Sequence, residues 1–167
     1  VKPAFIMVSG LPGTGKSRFS KSLAERAPLL ILESDALRKV LFPSPAYTAT
    51  ESARLFRAIH NLIERLLKKG LPLVLDATNL SEPYRERLYN IADRSDAKLI
   101  IARVDAPPEV VQERLKTRAE AGAPENHSVA DWAVYQRMKP AVQKIRRNYF
   151  AIDTSKDINP ILDKIVR

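Results

Sequence analysis

The chain has 167 residues, 45% apolar and 28% charged, with no cysteine and a formal net charge of +9. That size and mix exclude a disordered or collagen-like chain and point to one domain over residues 1–167, while the missing cysteines exclude disulfides, thiolate chemistry and cysteine-based zinc sites. No apolar run approaches the roughly 20 residues that span a bilayer, and Ala4–Val8 is too short for a signal peptide, so a cytoplasmic protein without a membrane partner is expected.

Strands and helices alternate along the chain. Ala4–Val8 is an apolar run ending near Gly10 and predicts a buried strand. A helix follows from about Lys16 to Arg26, with Phe19, Leu23 and Ala27 at helical spacing. Leu29–Leu32 predicts a second buried strand, and a short helix after Ser34 carries Leu37, Val40 and Leu41 and stops before Pro43. Residues 43–49 form a loop. A long amphipathic helix spans about Thr50 to Lys69 and is closed by Gly70.

Leu71–Leu75 predicts the third strand, Glu82–Arg94 a helix and Leu99–Val104 the fourth strand. Helix resumes near Pro108, a residue suited to a first turn. Residues 119–128 lack periodicity and read as a mobile segment. A helix from about Val129 to Arg147, a strand at Tyr149–Ile152 and a helix at Pro160–Val166 complete the chain. The alternation predicts an α/β fold with a parallel sheet covered on both faces.

Three of the five glycines fall within six positions, in Gly10-Leu11-Pro12-Gly13-Thr14-Gly15-Lys16-Ser17. This fits the G-x4-G-K-[ST] phosphate loop. Its glycines let backbone N–H groups converge on an anion, and the following helix adds its positive end. Gly10, Pro12, Gly13, Thr14, Gly15 and Arg18 are therefore expected to hold nucleotide. Lys16 is placed on the β- and γ-phosphates and Ser17 on magnesium, so ATP and Mg2+ are the expected cofactors.

Ligands of such sheets bind beyond the carboxyl ends of the strands. Asp35 and Arg38 lie there, three apart on one helical turn: a carboxylate to take an acceptor's proton and a fork for an acceptor phosphate, or else a helix cap and a solvated cation. Asp76 ends the third strand and suits magnesium through water, with Thr78 and Asn79 beside it as acceptor contacts or turn residues. Arg85 is a further acceptor contact or part of a solvated face. Arg114 and Arg118 share a helix face entering the mobile segment, as lid arginines or surface charges. The cations from Arg137 to Arg147 line either a solvated helix or a nucleic-acid backbone. Trp132 and Tyr135 fit core packing, and His60 and His127 receive no role. The excess charge is spread evenly, with 12 basic against 7 acidic residues in 1–83 and 16 against 12 in 84–167.

The runs Gly10–Ser17, Ser34-Asp35-Ala36-Leu37-Arg38-Lys39 and Leu75-Asp76-Ala77-Thr78-Asn79-Leu80 resemble the P-loop kinases related to polynucleotide 5′-hydroxyl kinase, in the zeta-toxin and AAA-type ATP-binding group. Arg114, Arg118, Ser128–Trp132 and Asp153-Thr154-Ser155 are similar too. The resemblance implies an adenylate-kinase-like P-loop sandwich, a five-stranded sheet of order 2-3-1-4-5 with a helical lid at about 114–130. It implies Asp35 as general base, Arg38 on an acceptor's 3′-phosphate, Arg114 or Arg118 as lid arginine, and Asp153, Thr154 and Ser155 beside the adenine. The implied activity is ATP-dependent phosphoryl transfer to a hydroxyl, with the 5′ end of RNA or DNA as acceptor. A sugar, nucleoside or antibiotic acceptor is the alternative, and a nucleotide-binding module without kinase activity a third. No obligate protein partner is implied.

Overall fold

The computed structural model of the chain describes residues 2–120 and 127–167. Strands β1 (Ala4–Ser9), β2 (Leu30–Glu33), β3 (Leu73–Asp76), β4 (Lys98–Asp105) and β5 (Phe150–Asp153) form one sheet, ordered β2-β3-β1-β4-β5. Every pairing is parallel. The order and fold class follow the sequence reading. Helices α1 (Lys16–Arg26), α2 (Ser34–Leu41), α3 (Ala49–Lys68), α4 (Glu82–Arg94), α5 (Pro108–Glu120), α6 (His127–Met138) and α7 (Asn159–Val166) cover it.

Side chains on a strand alternate between faces, and β1 uses both. Phe5 and Met7 pack with Leu55, Ile59 and Ile63 of α3 and Leu88 of α4. Ile6 and Val8 pack on the other face with Phe19 and Leu23 of α1 and Leu162 of α7. Burial on both sides is why β1 reads as an unbroken apolar run. Each such side chain contributes about 1.5–3 kcal/mol on burial.

Two expectations need correction. β2 is not a buried strand but the edge of the sheet, with Leu30 45% and Ile31 37% exposed. An apolar run has the same sequence signature in either place. The helix following it likewise leaves Val40 and Leu41 exposed and buries Arg38 instead.

The second correction concerns the helix expected to reach Arg147. α6 ends at Met138, and a single 3-10 turn follows at Lys139–Ala141. Pro140 lacks a backbone donor and disfavours helix at the residue before it. Residues 142–149 then run as an irregular strap to β5. The strap is tied to α4: Gln143 N donates to Leu80 O, Arg146 N to Glu82 Oε2, and the Arg147 guanidinium lies 4.5 Å above the Tyr89 ring. The basic stretch is therefore divided among the end of α6, a turn and a strap rather than aligned on one helix face.

α5 and α6 pack together over the phosphate loop through Val111, Leu115 and Tyr135, joined by Leu11. Tyr135 is buried as expected, and Trp132 stacks on it with ring centroids 5.1 Å apart. Residues 121–126, inside the expected lid and mobile segment, lie outside the described residues, as do the side chains of Ser128–Asp131. Among the described residues, no helix is long and apolar enough to cross a membrane.

Candidate active site

β1 delivers the chain into the loop Gly10–Gly15, and α1 begins at Lys16. Gly13 and Gly15 have φ of 79° and 94°, the left-handed region that costs L side chains most. Space is short as well. A Cβ on Gly13 would stand 2.9 Å from Val111 of α5, and one on Gly15 would meet Thr154 at 3.0 Å. The loop is closed by Thr14 N and Oγ1 donating to Leu11 O. Lys16 Nζ donates to Gly10 O at 2.9 Å, so the ammonium lies across the cradle.

Three carboxylates gather about this lysine. Burial lowers the Lys16 pKa, and the charges of Asp76, Asp35 and Glu33 each oppose that fall. Asp76 is 4% exposed, and burial pushes its pKa up against the pull of Lys16. The β2–β3 register sets Glu33 beside Asp76. Ser17 Oγ donates to Asp76 Oδ2 at 3.4 Å. A hydroxyl next to a desolvated carboxylate is a donor pair suited to Mg2+. Asp35 stands exposed in the first turn of α2.

Arg38 does not face the open site. It is 7% exposed, with Nη1 2.5 Å from Glu51 Oε1 and Nη2 3.0 Å from Ser52 Oγ. Glu51 also accepts the backbone N–H groups of Ala46 and Tyr47. Tyr47 has φ of 56°, strained for an aromatic residue, and its ring lies 4.8 Å from the Arg38 guanidinium. Arg38 and Glu51 thus hold the 42–48 loop between α2 and α3.

The Ala46 N–H, then Arg38, keep the Glu51 carboxyl below the usual carboxylate range. A depressed acid contributes stability above its unfolded value of 4.5, lost as pH falls through the folded value. Glu51→Gln is accordingly expected to melt below the parent protein at pH 7. The gap in Tm should close on acidification below about pH 4.5. A gap of the same size at every pH would remove the charge from this account.

The other arginines divide sharply. Arg85 is fully buried: Nε donates to Asn79 O, and Nη1 to Gln143 O and Glu82 Oε1. It holds the β3–α4 turn and the strap, and it lines the cavity between them. Asn79 is spent similarly, its amide donating to Val8 O at 2.6 Å. Thr78 is half-buried and binds the loop through its carbonyl, which accepts from Gly10 N and Ser9 Oγ. Arg114 donates to Thr154 Oγ1 at 2.7 Å, Thr154 O at 2.9 Å and Gly13 O at 3.4 Å. Thr154 Oγ1 in turn donates to Thr14 O. Arg114 therefore joins the phosphate loop to the turn Asp153–Ser155, whose Asp153 carboxylate accepts from Ser155 N and Oγ. Arg118, one turn on, is exposed, and its charge reaches Lys16. Arg18 is exposed, and its charge reaches Arg114. Pro12 is half-buried in the loop.

Two residues of the site had no signal in the sequence. Glu33 enters it only through the β2–β3 register, and Glu51 only because α3 folds back on α2.

Residues 5–145 match a family model described as an AAA domain. A gluconokinase from Gluconobacter oxydans is 27% identical over 123 residues, 71% of this chain and 67% of that protein. An L-seryl-tRNA(Sec) kinase from Methanococcus maripaludis is 26% identical over 114 residues, 65% of this chain and 44% of that protein. Among solved structures, an APS kinase from Mycobacterium tuberculosis superposes with a TM-score of 0.73 at 15% identity, covering 99% of this chain and 96% of that one. That last likeness is one of fold.

Proposed function

The chain belongs to the AAA-domain family matched over residues 5–145, and we propose that it is an ATP-dependent kinase phosphorylating a hydroxyl on a small-molecule acceptor. The observation that carries the kinase chemistry is the convergence of Lys16, Ser17, Asp76 and Asp35 at one mouth. The two curated relatives are themselves named kinases.

In this reading the loop N–H groups and Lys16 hold the β- and γ-phosphates. Ser17 and Asp76, the latter through water, would hold Mg2+, which supplies charge neutralisation on the phosphates. The acceptor oxygen attacks the γ-phosphorus, the bond to the β–γ bridging oxygen breaks, and ADP leaves. The hydroxyl proton passes to Asp35. Arg118 is the lid arginine, because Arg114 is engaged with Thr154 and Gly13. Arg114 instead holds the Asp153–Ser155 turn against the loop, on the adenine side.

The acceptor is taken as small because the residue that would read a polynucleotide is occupied. Arg38 faces Glu51 rather than an acceptor phosphate. The charge of +9 keeps the RNA or DNA 5′ end as the second reading. Incubation with γ-labelled ATP, Mg2+ and a panel of sugars, sugar acids, nucleosides and antibiotics, beside a 5′-hydroxyl oligonucleotide, separates the two. Label on a small molecule is expected. Label confined to the oligonucleotide would establish the second reading, and ATP binding without any labelled acceptor would reduce the chain to a nucleotide-binding module.

A further inference from the structure

A cavity of ≈ 370 Å³ lies behind the phosphate loop, under the strap that leads from α6 to β5. That volume falls within the range of small-ligand pockets. Its lining mixes apolar side chains, Leu11, Leu80, Val104, Tyr135, Val142 and Ile145, with polar and charged ones. Gly10 and Leu11 form one side, so an occupant touches the cradle that Lys16 spans.

The charge of the lining is unbalanced. Asp105 is its one carboxylate among the described residues, and Arg103 lies 3.9 Å from it. Arg85 is neutralised by Glu82 and bonded to protein on every side. Lys139 and Lys144 are left in surplus. Lys139 Nζ lies 5.6 Å from the centroid of the Tyr135 ring, and both residues line the cavity. Two surplus cations in the lining favour an anion over a neutral molecule of the same shape, which makes charge the selecting feature.

We propose that this cavity binds a small organic anion, a carboxylate or phosphate ester with a body of sugar size, with Lys139 and Lys144 as its anion-binding groups. Because Gly10 and Leu11 belong to the wall, occupancy also changes nucleotide affinity, and nucleotide changes the affinity of the anion by the same factor. The acceptor itself and a separate effector are the two sources of such a molecule, and both present the same chemistry to the pocket. The proposal concerns binding and stands apart from the kinase reading.

Calorimetric titration of the full chain with gluconate and with 3-phosphoglycerate, beside neutral glucose and glycerol, tests it. Either anion is expected to bind at least about tenfold tighter than its neutral counterpart, since each tenfold is about 1.4 kcal/mol and two cations supply that readily. Binding should weaken with added salt. The Lys139→Ala/Lys144→Ala double variant should lose the preference while melting as the parent does, because both side chains are exposed. Val142→Glu, which sets a carboxylate at an exposed lining position, should abolish anion binding independently. Equal affinity for charged and neutral probes, binding unchanged in both variants, or no binding of either anion would each overturn the proposal. Adding ATP and Mg2+ then sorts the source: label on the bound anion makes it the acceptor, and a shift in ATP affinity without label makes it an effector. A chain that binds the anion and phosphorylates nothing refutes the kinase reading and leaves the pocket standing.

Discussion

Lys16→Ala is expected to abolish transfer, with turnover falling by about a thousandfold or more. A preorganised donor that meets developing charge in a dry site is worth about 10²–10³ in rate, and this ammonium is also the largest cation the cradle offers the ground-state phosphates. Its position is fixed before nucleotide arrives: Nζ donates to Gly10 O, inside the loop that would receive the phosphates. Partial desolvation of this ammonium carries a cost that can be measured separately. Burial holds its folded pKa below the ordinary lysine value of 10.5, so the unfolded chain binds that proton more tightly. The Lys16 contribution to stability therefore rises with pH between the folded value and 10.5, and Lys16→Ala should lack that rise. Transfer within tenfold of the parent in this variant would remove Lys16 from the reaction.

The parts of this site that the sequence made legible are those written locally. The cradle needs glycines at fixed offsets from a lysine and a serine, and the apolar run before it needs no partner to be recognised. Strand order, too, followed from the resemblance, because the motifs name the fold. What stayed hidden depends on contacts between distant segments. Arg38 looked free because the acid near it in sequence, Asp35, is not its partner. Its partner is Glu51, thirteen residues on, brought in by the fold of α3 against α2. Arg85 looked like a solvated helix cation, yet it is the hub of the β3–α4 turn because, besides Glu82, it donates to two main-chain carbonyls. Backbone acceptors carry no residue signature. The same holds for the strap: Pro140 marks the end of a helix, but the residues after it are placed by long-range bonds such as Gln143 N to Leu80 O and Arg85 Nη1 to Gln143 O.

Asp35→Asn is the second change with a large expected effect. Asparagine keeps the size and polarity of the side chain in the first turn of α2 but takes no proton at neutral pH. A positioned base contributes about 10²–10⁴ to rate, so kcat should fall by about a hundredfold or more while ATP still binds. The loss should fall on kcat with ATP affinity unchanged, which a merely structural loss would not produce. Two other carboxylates stand close enough to compete for the role. Asp76 is buried beside Ser17 and engaged with Lys16, which suits it to the metal rather than to a mobile acceptor. Glu33 pairs with Asp76 in register and is half-buried at the end of β2. Glu33→Gln is therefore the control. If it lowers kcat by about a hundredfold and Asp35→Asn does not, the proton goes to Glu33. Asp35 would then serve only to balance the charge of Lys16, a smaller contribution that Asp76 already leads.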